Sequence, residues 1–123
     1  MYNQTQFVLE KQAAHLWADV TFGASGAPSI ASKTSLGIKS VTRTSAGLYV
    51  IAFNDAFVRL LSLKHITQSA AAPAAPGLYV VSTSLTTPGA ATLTVQFNSA
   101  GVATDPAAGE IAKIHFEFSK STV

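Results

Sequence analysis

The stretch "KSVTRTSAGLYVIAFNDAFVRLL", residues 39–61, decides the fold. "GIKSVTRT" (37–44) and "GLYVIAF" (47–53) flank Ser45 and Ala46. That spacing predicts a β-hairpin whose short turn uses Gly47 for a backbone angle other residues avoid. In the second arm Tyr49, Ile51 and Phe53 share one face and Leu48, Val50 and Ala52 the other. Both faces are apolar, so this strand is expected at the centre of a sheet, covered on both sides. Asn54 then reads as the cap of a short helix, because Phe57, Leu60 and Leu61 follow at i, i+3, i+4 spacing. So short a helix cannot stand alone. It is expected to plug one end of a β-sandwich or β-barrel.

Alternation continues on either side. In "HLWADVTF" (15–22), Leu16, Ala18, Val20 and Phe22 oppose His15, Trp17, Asp19 and Thr21, the pattern of a half-buried strand. "GASGAPS" (23–29) is loop chemistry, with glycines that need supply only flexibility. "SLKHITQS" (62–69), "LYVVSTSL" (78–85) and "TLTVQF" (92–97) read as strands, and "NSAG" (98–101) as a tight hairpin turn. "AAAPAAPG" (70–77) is a proline-punctuated connector. In "IAKIHFEF" (111–118), Ala112, Ile114, Phe116 and Phe118 face inward and Lys113, His115 and Glu117 outward. The whole predicts an all-β, single-domain β-sandwich or β-barrel of seven to eight short strands with one short helix. The β domain spans 15–123. Residues 1–14 are either an ordered lead-in to the first strand or an arm that reaches a neighbouring subunit.

The length, 123 residues, suits one domain. Hydrophobic residues make up 48% and charged residues 11%, against about 25% charged in ordinary soluble domains. Part of the surface must then be apolar or hydroxylic, and a contiguous apolar surface marks a binding face. The net charge of +2 comes from scattered residues with no basic run, which argues against nucleic acid. There is no cysteine, so no disulfide, thiolate metal site or cysteine nucleophile. "MYNQTQFVLEKQ" lacks the basic start and apolar core of a signal peptide, and no apolar run reaches the ~18 residues of a membrane-spanning helix.

The chemistry-bearing residues form no signature. His15, His65 and His115 lie fifty residues apart on three predicted strands, without a second metal ligand at local spacing. Asp55, at the predicted helix start, and Asp105 and Glu110, in a turn, are placed to satisfy loose backbone N–H groups. The spacing of Asp105 and Glu110 lacks the periodic oxygens of a calcium loop. No nucleophile motif or phosphate-binding glycine loop occurs. No catalytic, cofactor-binding or metal-binding residue is assigned, and no cofactor is expected.

The run "IKSVTRTSAGLYVIAFNDAFVRLLS" and the ending "VQFNSAGVATDPAAGEIAKIHFEFSKSTV" resemble small structural proteins of tailed bacteriophages. The likeness covers roughly residues 36–66 and 93–123, and the segment 67–92 has no counterpart. It implies a β-rich, oligomeric virion protein on the phage head surface, one that decorates or cements the capsid lattice. The expected partners are the major capsid protein lattice and further copies of the chain as a dimer or trimer, with neither nucleic acid nor membrane. The alternatives are another virion component (a tail, neck or fibre-base module) or a carbohydrate- or receptor-binding β domain. The charge deficit and the apolar N-terminus place the contacts at Gln6, Phe7 and Leu9 of the arm, at Trp17, and at the loop tips near Pro28 and Pro76. Trp17 lies on the polar side of its strand, as an interface anchor or part of a second core layer.

Overall fold

The computed structural model describes residues 13–30 and 35–119. They form two antiparallel sheets packed face to face. The strands are β1 (Ala13–Phe22), β2 (Pro28–Ile30), β3 (Ile38–Ser45), β4 (Leu48–Phe53), β5 (Arg59–Gln68), β6 (Gly77–Ser84), β7 (Thr92–Ser99), β8 (Val102–Ala103) and β9 (Ile111–Ser119). The first sheet has the order β2-β1-β9-β5, and the second β3-β4-β7-β6 with β8 against β7. β1 and β2 touch β3 on one side of the sandwich, so β5 and β6 are the outermost strands on the other.

The inward rows follow the alternation read in the sequence. Leu16, Ala18, Val20 and Phe22 of β1 and Ala112, Ile114, Phe116 and Phe118 of β9 are buried. Opposite them lie Tyr49, Ile51 and Phe53 of β4 and Leu93, Val95 and Phe97 of β7. Two aromatic groups hold the ends of this core. Phe22, Tyr49 and Phe97 meet edge to face, with centroids 5.3–5.4 Å apart. Phe53 sits edge-on to Phe116 and Phe118, and Phe57 stacks on Phe118 at 4.4 Å. Each such pair contributes about 0.5–1.5 kcal/mol beyond the area it buries.

The hairpin of β3 and β4 forms as the sequence predicts, and Gly47 takes φ +72° at its turn. A side chain at Gly47 would meet the Phe97 carbonyl and the Thr104 N–H, so glycine answers both the angle and the space. The short helix after Asn54 does not form. Residues 54–58 are irregular, and Leu60 and Leu61 belong to a ten-residue strand, β5. A register shift between Leu60 and Ser62 makes Leu61 the extra residue of a bulge. The bulge sets two leucines side by side and counterfeits helical spacing. Phe57 still closes the end of the core, from an irregular segment rather than a helix.

Two further expectations change. The segment 23–29 is not merely flexible. It makes a 3₁₀ turn at Ala24–Gly26, Gly26 is buried at φ +73°, and Pro28 starts β2 opposite Phe22. Among the described residues no second layer covers the outer face of β4 either. Leu48, Val50 and Ala52 are half-buried by neighbours in their own sheet.

Candidate functional site

Cross-strand register places the outward side chains in rows, and the two sheets carry opposite chemistry. On the first sheet the rows are His15–Glu117–Ser62, Trp17–His115–Lys64 and Asp19–Lys113–Ile66. Lys113 reaches Asp19 at 3.4 Å. His15 Nδ1 lies 3.2 Å from His115 Nε2, a hydrogen-bonding distance, while His15 Nε2 is 3.7 Å from Glu117. Trp17 leans on His115, with ring centroids 5.2 Å apart and planes tilted by 34°. It is 46% exposed, and among the described residues no second core layer covers it. Leu36, 57% exposed, bridges to Trp17 through the bond from its N–H to the Trp17 carbonyl.

On the second sheet the rows are Ser45–Leu48–Gln96–Tyr79, Thr42–Val50–Thr94–Ser82 and Ser40–Ala52–Thr92–Ser84. All twelve positions are uncharged. Hydroxyls and small apolar groups cover four strands, and Tyr79, 49% exposed, stands at one corner. The twelve row positions are thus free of charge, and Lys39, exposed at the β3 register shift beside Ser40, stands at their rim with its Nζ 3.5 Å from the Gly89 carbonyl.

The acidic residues of the loops hold structure. Arg43 donates two hydrogen bonds to Asp105, from Nε at 3.0 Å and Nη2 at 2.8 Å. The Gly47 N–H donates to the same carboxylate at 2.8 Å, and the Tyr49 hydroxyl lies 3.2 Å from it and 2.7 Å from the Gly26 carbonyl. The hydrogen bonds from Arg43 hold the Asp105 carboxyl below the usual carboxylate range. Burial, followed by the nearby Asp105 charge, pushes the Tyr49 hydroxyl far above its ordinary value. Glu110 is buried and accepts the N–H groups of Ala74 and Ala107, both at 2.9 Å on Oε2. Asp105 and Glu110 therefore satisfy backbone donors as the turn chemistry predicts. Asp55 caps no helix and lies exposed in a bend.

Histidine placement separates the three rings. His15 and His115 pair outside the first sheet, whereas His65 faces inward against Phe97, 5.7 Å away, with Thr67 Oγ1 at 2.9 Å. Burial lowers the pKa of His65. Among the described residues no three His, Asp or Glu side chains converge as a metal ion requires. A shallow depression lined by Ala56, Phe57, Val58 and Thr86 contains no titratable group.

Of the contact residues expected from sequence, Gln6, Phe7 and Leu9 lie outside the described residues. Trp17 stands exposed on the charged face. Pro28 is half-buried within β2 rather than at a loop tip, and Pro76 is exposed where the connector enters β6. Trp17 and Pro28 belong to one sheet margin and Pro76 to the opposite side, so these positions make no single patch. The charge-free face was missed. Its signal, the lack of charge in "GLYVIAF", "LYVVSTSL" and "TLTVQF", becomes a surface only once these strands are known to be neighbours. No family model, no characterised protein and no solved structure matches this chain.

Proposed function

We propose that this chain is a non-enzymatic structural protein of a tailed-phage virion, a decoration protein that docks on the outside of the head and stabilises the shell. The observation that carries the reading is the charge-free outer face of the β3-β4-β7-β6 sheet. A four-stranded face without charge loses little hydration on meeting a partner. Each Å² of apolar area removed from water contributes roughly 25 cal/mol. Many copies on a symmetric lattice add avidity without new chemistry. The resemblance of residues 36–66 and 93–123 to phage structural proteins points the same way. Quantitative mass spectrometry of purified virions tests it: hundreds of copies per particle fit a decoration protein, and a dozen or fewer would replace it with a tail or neck module.

A second reading, a carbohydrate- or receptor-binding β domain, draws on Trp17, half exposed and braced by His115. Binding of a soluble glycan that shifts Trp17 fluorescence would favour it.

A further inference from the structure

Two of the three histidines meet across the pairing of β1 with β9. His15 stands opposite Glu117 and Trp17 opposite His115, so His15 and His115 are diagonal neighbours on the outer face. Their facing nitrogens, His15 Nδ1 and His115 Nε2, lie 3.2 Å apart, and the ring planes differ by 9°. This is an N–H···N contact, in which one nitrogen donates and the other must be bare. A neutral pair can make it, and so can a pair that holds one extra proton. A pair that holds two cannot. Both facing nitrogens then carry hydrogen, no acceptor is left between them, and two like charges stand in contact.

The surroundings give each ring a separate partner in acid. Glu117 lies 3.7 Å from Nε2 of His15, the nitrogen that does not meet His115. Trp17 lies against His115, with ring centroids 5.2 Å apart. A cation is attracted by a carboxylate and by the face of an indole. The other charged groups on this face, among the described residues, are Asp19 of β1, Lys113 of β9, and Arg59 and Lys64 of β5. Lys113 engages Asp19 at 3.4 Å. Lys64 stands beside His115 in its row, and Arg59 stands in the row next to that of Glu117. β2 and residues 35–36 carry no charge. Lys64 and Arg59 therefore add to the repulsion between two imidazoliums rather than relieve it.

We infer that the His15–His115 pair is a proton-operated switch in the outer face of the first sheet. While one facing nitrogen is bare, His15, His115 and Trp17 form a continuous group of rings across β1 and β9. When both rings are imidazolium the pair parts: His15 turns to Glu117, and His115 stays on Trp17. The formal charge of the described part of this face rises from +1, three cations against two carboxylates, to +3. A partner resting on Trp17 thus meets an unbroken aromatic group near neutral pH and a split, basic one in acid.

The inference concerns the full chain by itself and does not need the capsid reading. A double-mutant cycle tests it. The unaltered chain, His15→Ala, His115→Ala and the double variant are unfolded with urea at about pH 8 and at about pH 5, the ends of the range in which imidazole changes charge. Both side chains lie on the outer face, so alanine leaves the core in place. The titration of His65 and Asp105 cancels in the cycle, because all four proteins carry both groups. The coupling between His15 and His115 should stabilise at the higher pH and change sign at the lower. A coupling of one sign at both, or none at the higher pH, would overturn the inference. The cycle is then repeated with Glu117→Gln, which removes the carboxylate to which His15 turns. The unfavourable coupling in acid should grow, and an unchanged one would overturn the parting of the pair toward Glu117 and Trp17.

Discussion

The guanidinium of Arg43 grips the carboxylate of Asp105 with two parallel hydrogen bonds, at 3.0 and 2.8 Å. These residues lie 62 positions apart. Their contact fastens the turn of the β3–β4 hairpin to the loop that leads into β9. The same carboxylate receives the Gly47 N–H and lies beside the Tyr49 hydroxyl, so one side chain holds β3, the turn and β4 of a single hairpin to the loop before β9.

Asp105→Ala should cost about 1–3 kcal/mol, because it strands the donors that the carboxylate satisfies. Urea unfolding at neutral pH measures it. The sign of the pH effect follows from the depressed folded-state value: the unfolded chain binds the proton more readily. The stabilisation from Asp105 is complete above the ordinary carboxylate range and is lost as pH falls through the lower, folded-state value. The variant should therefore lack that part of the acid slope.

His65 acts at higher pH. Burial disfavours its charged form, so its folded-state pKa is lowered and the unfolded chain again takes up the proton first. Its contribution to stability is full above the ordinary imidazole value and falls away as pH drops toward the depressed one. His65→Gln should flatten the pH dependence of the unfolding midpoint in this upper window while leaving the lower, Asp105 step in place.

Gly26 is a demanding backbone position. It combines φ +73° with a site where a Cβ would lie 2.6 Å from the Tyr49 hydroxyl and 2.8 Å from Asp105 Cγ. Gly26→Ala must push the buried Tyr49 away from the network and should destabilise more than Tyr49→Phe, for which about 1 kcal/mol is expected from the lost hydrogen bond. Thermal melts of the two variants side by side test the order.

Glu110→Ala leaves the N–H groups of Ala74 and Ala107 without their acceptor. The connector 69–76 should loosen, since this carboxylate fastens it to the loop before β9. Limited proteolysis should show faster cleavage within that connector, along with a stability loss of about 1–3 kcal/mol.

The outer rows of β1 and β9 and the β3–β4 hairpin were legible because strict alternation names the buried face without knowledge of the partner strand. The supposed helix after Asn54 was not. Phe57 comes from an irregular segment and Leu61 from a bulge, and four residues cannot tell that accident from a 3.6-residue period. Gly26 reads as mere flexibility in the sequence because its role is set by Tyr49 and Asp105, which lie far off in the chain. The pairing of His15 with His115 and the single charge-free face depend on strand order and register. Local pattern carries neither.

The central claim, that the charge-free sheet is the docking face, is tested most directly by pelleting the protein with expanded, empty phage heads. Thr42 and Ser82 lie exposed at the two ends of the middle outer row, so a carboxylate at either should be tolerated by the fold. The account predicts that Thr42→Glu with Ser82→Glu weakens binding by about tenfold or more, since an unpaired charge is forced out of water at the contact. Lys64→Glu on the opposite sheet should bind as the unaltered chain does. Full binding by the double variant and loss with Lys64→Glu would contradict the account.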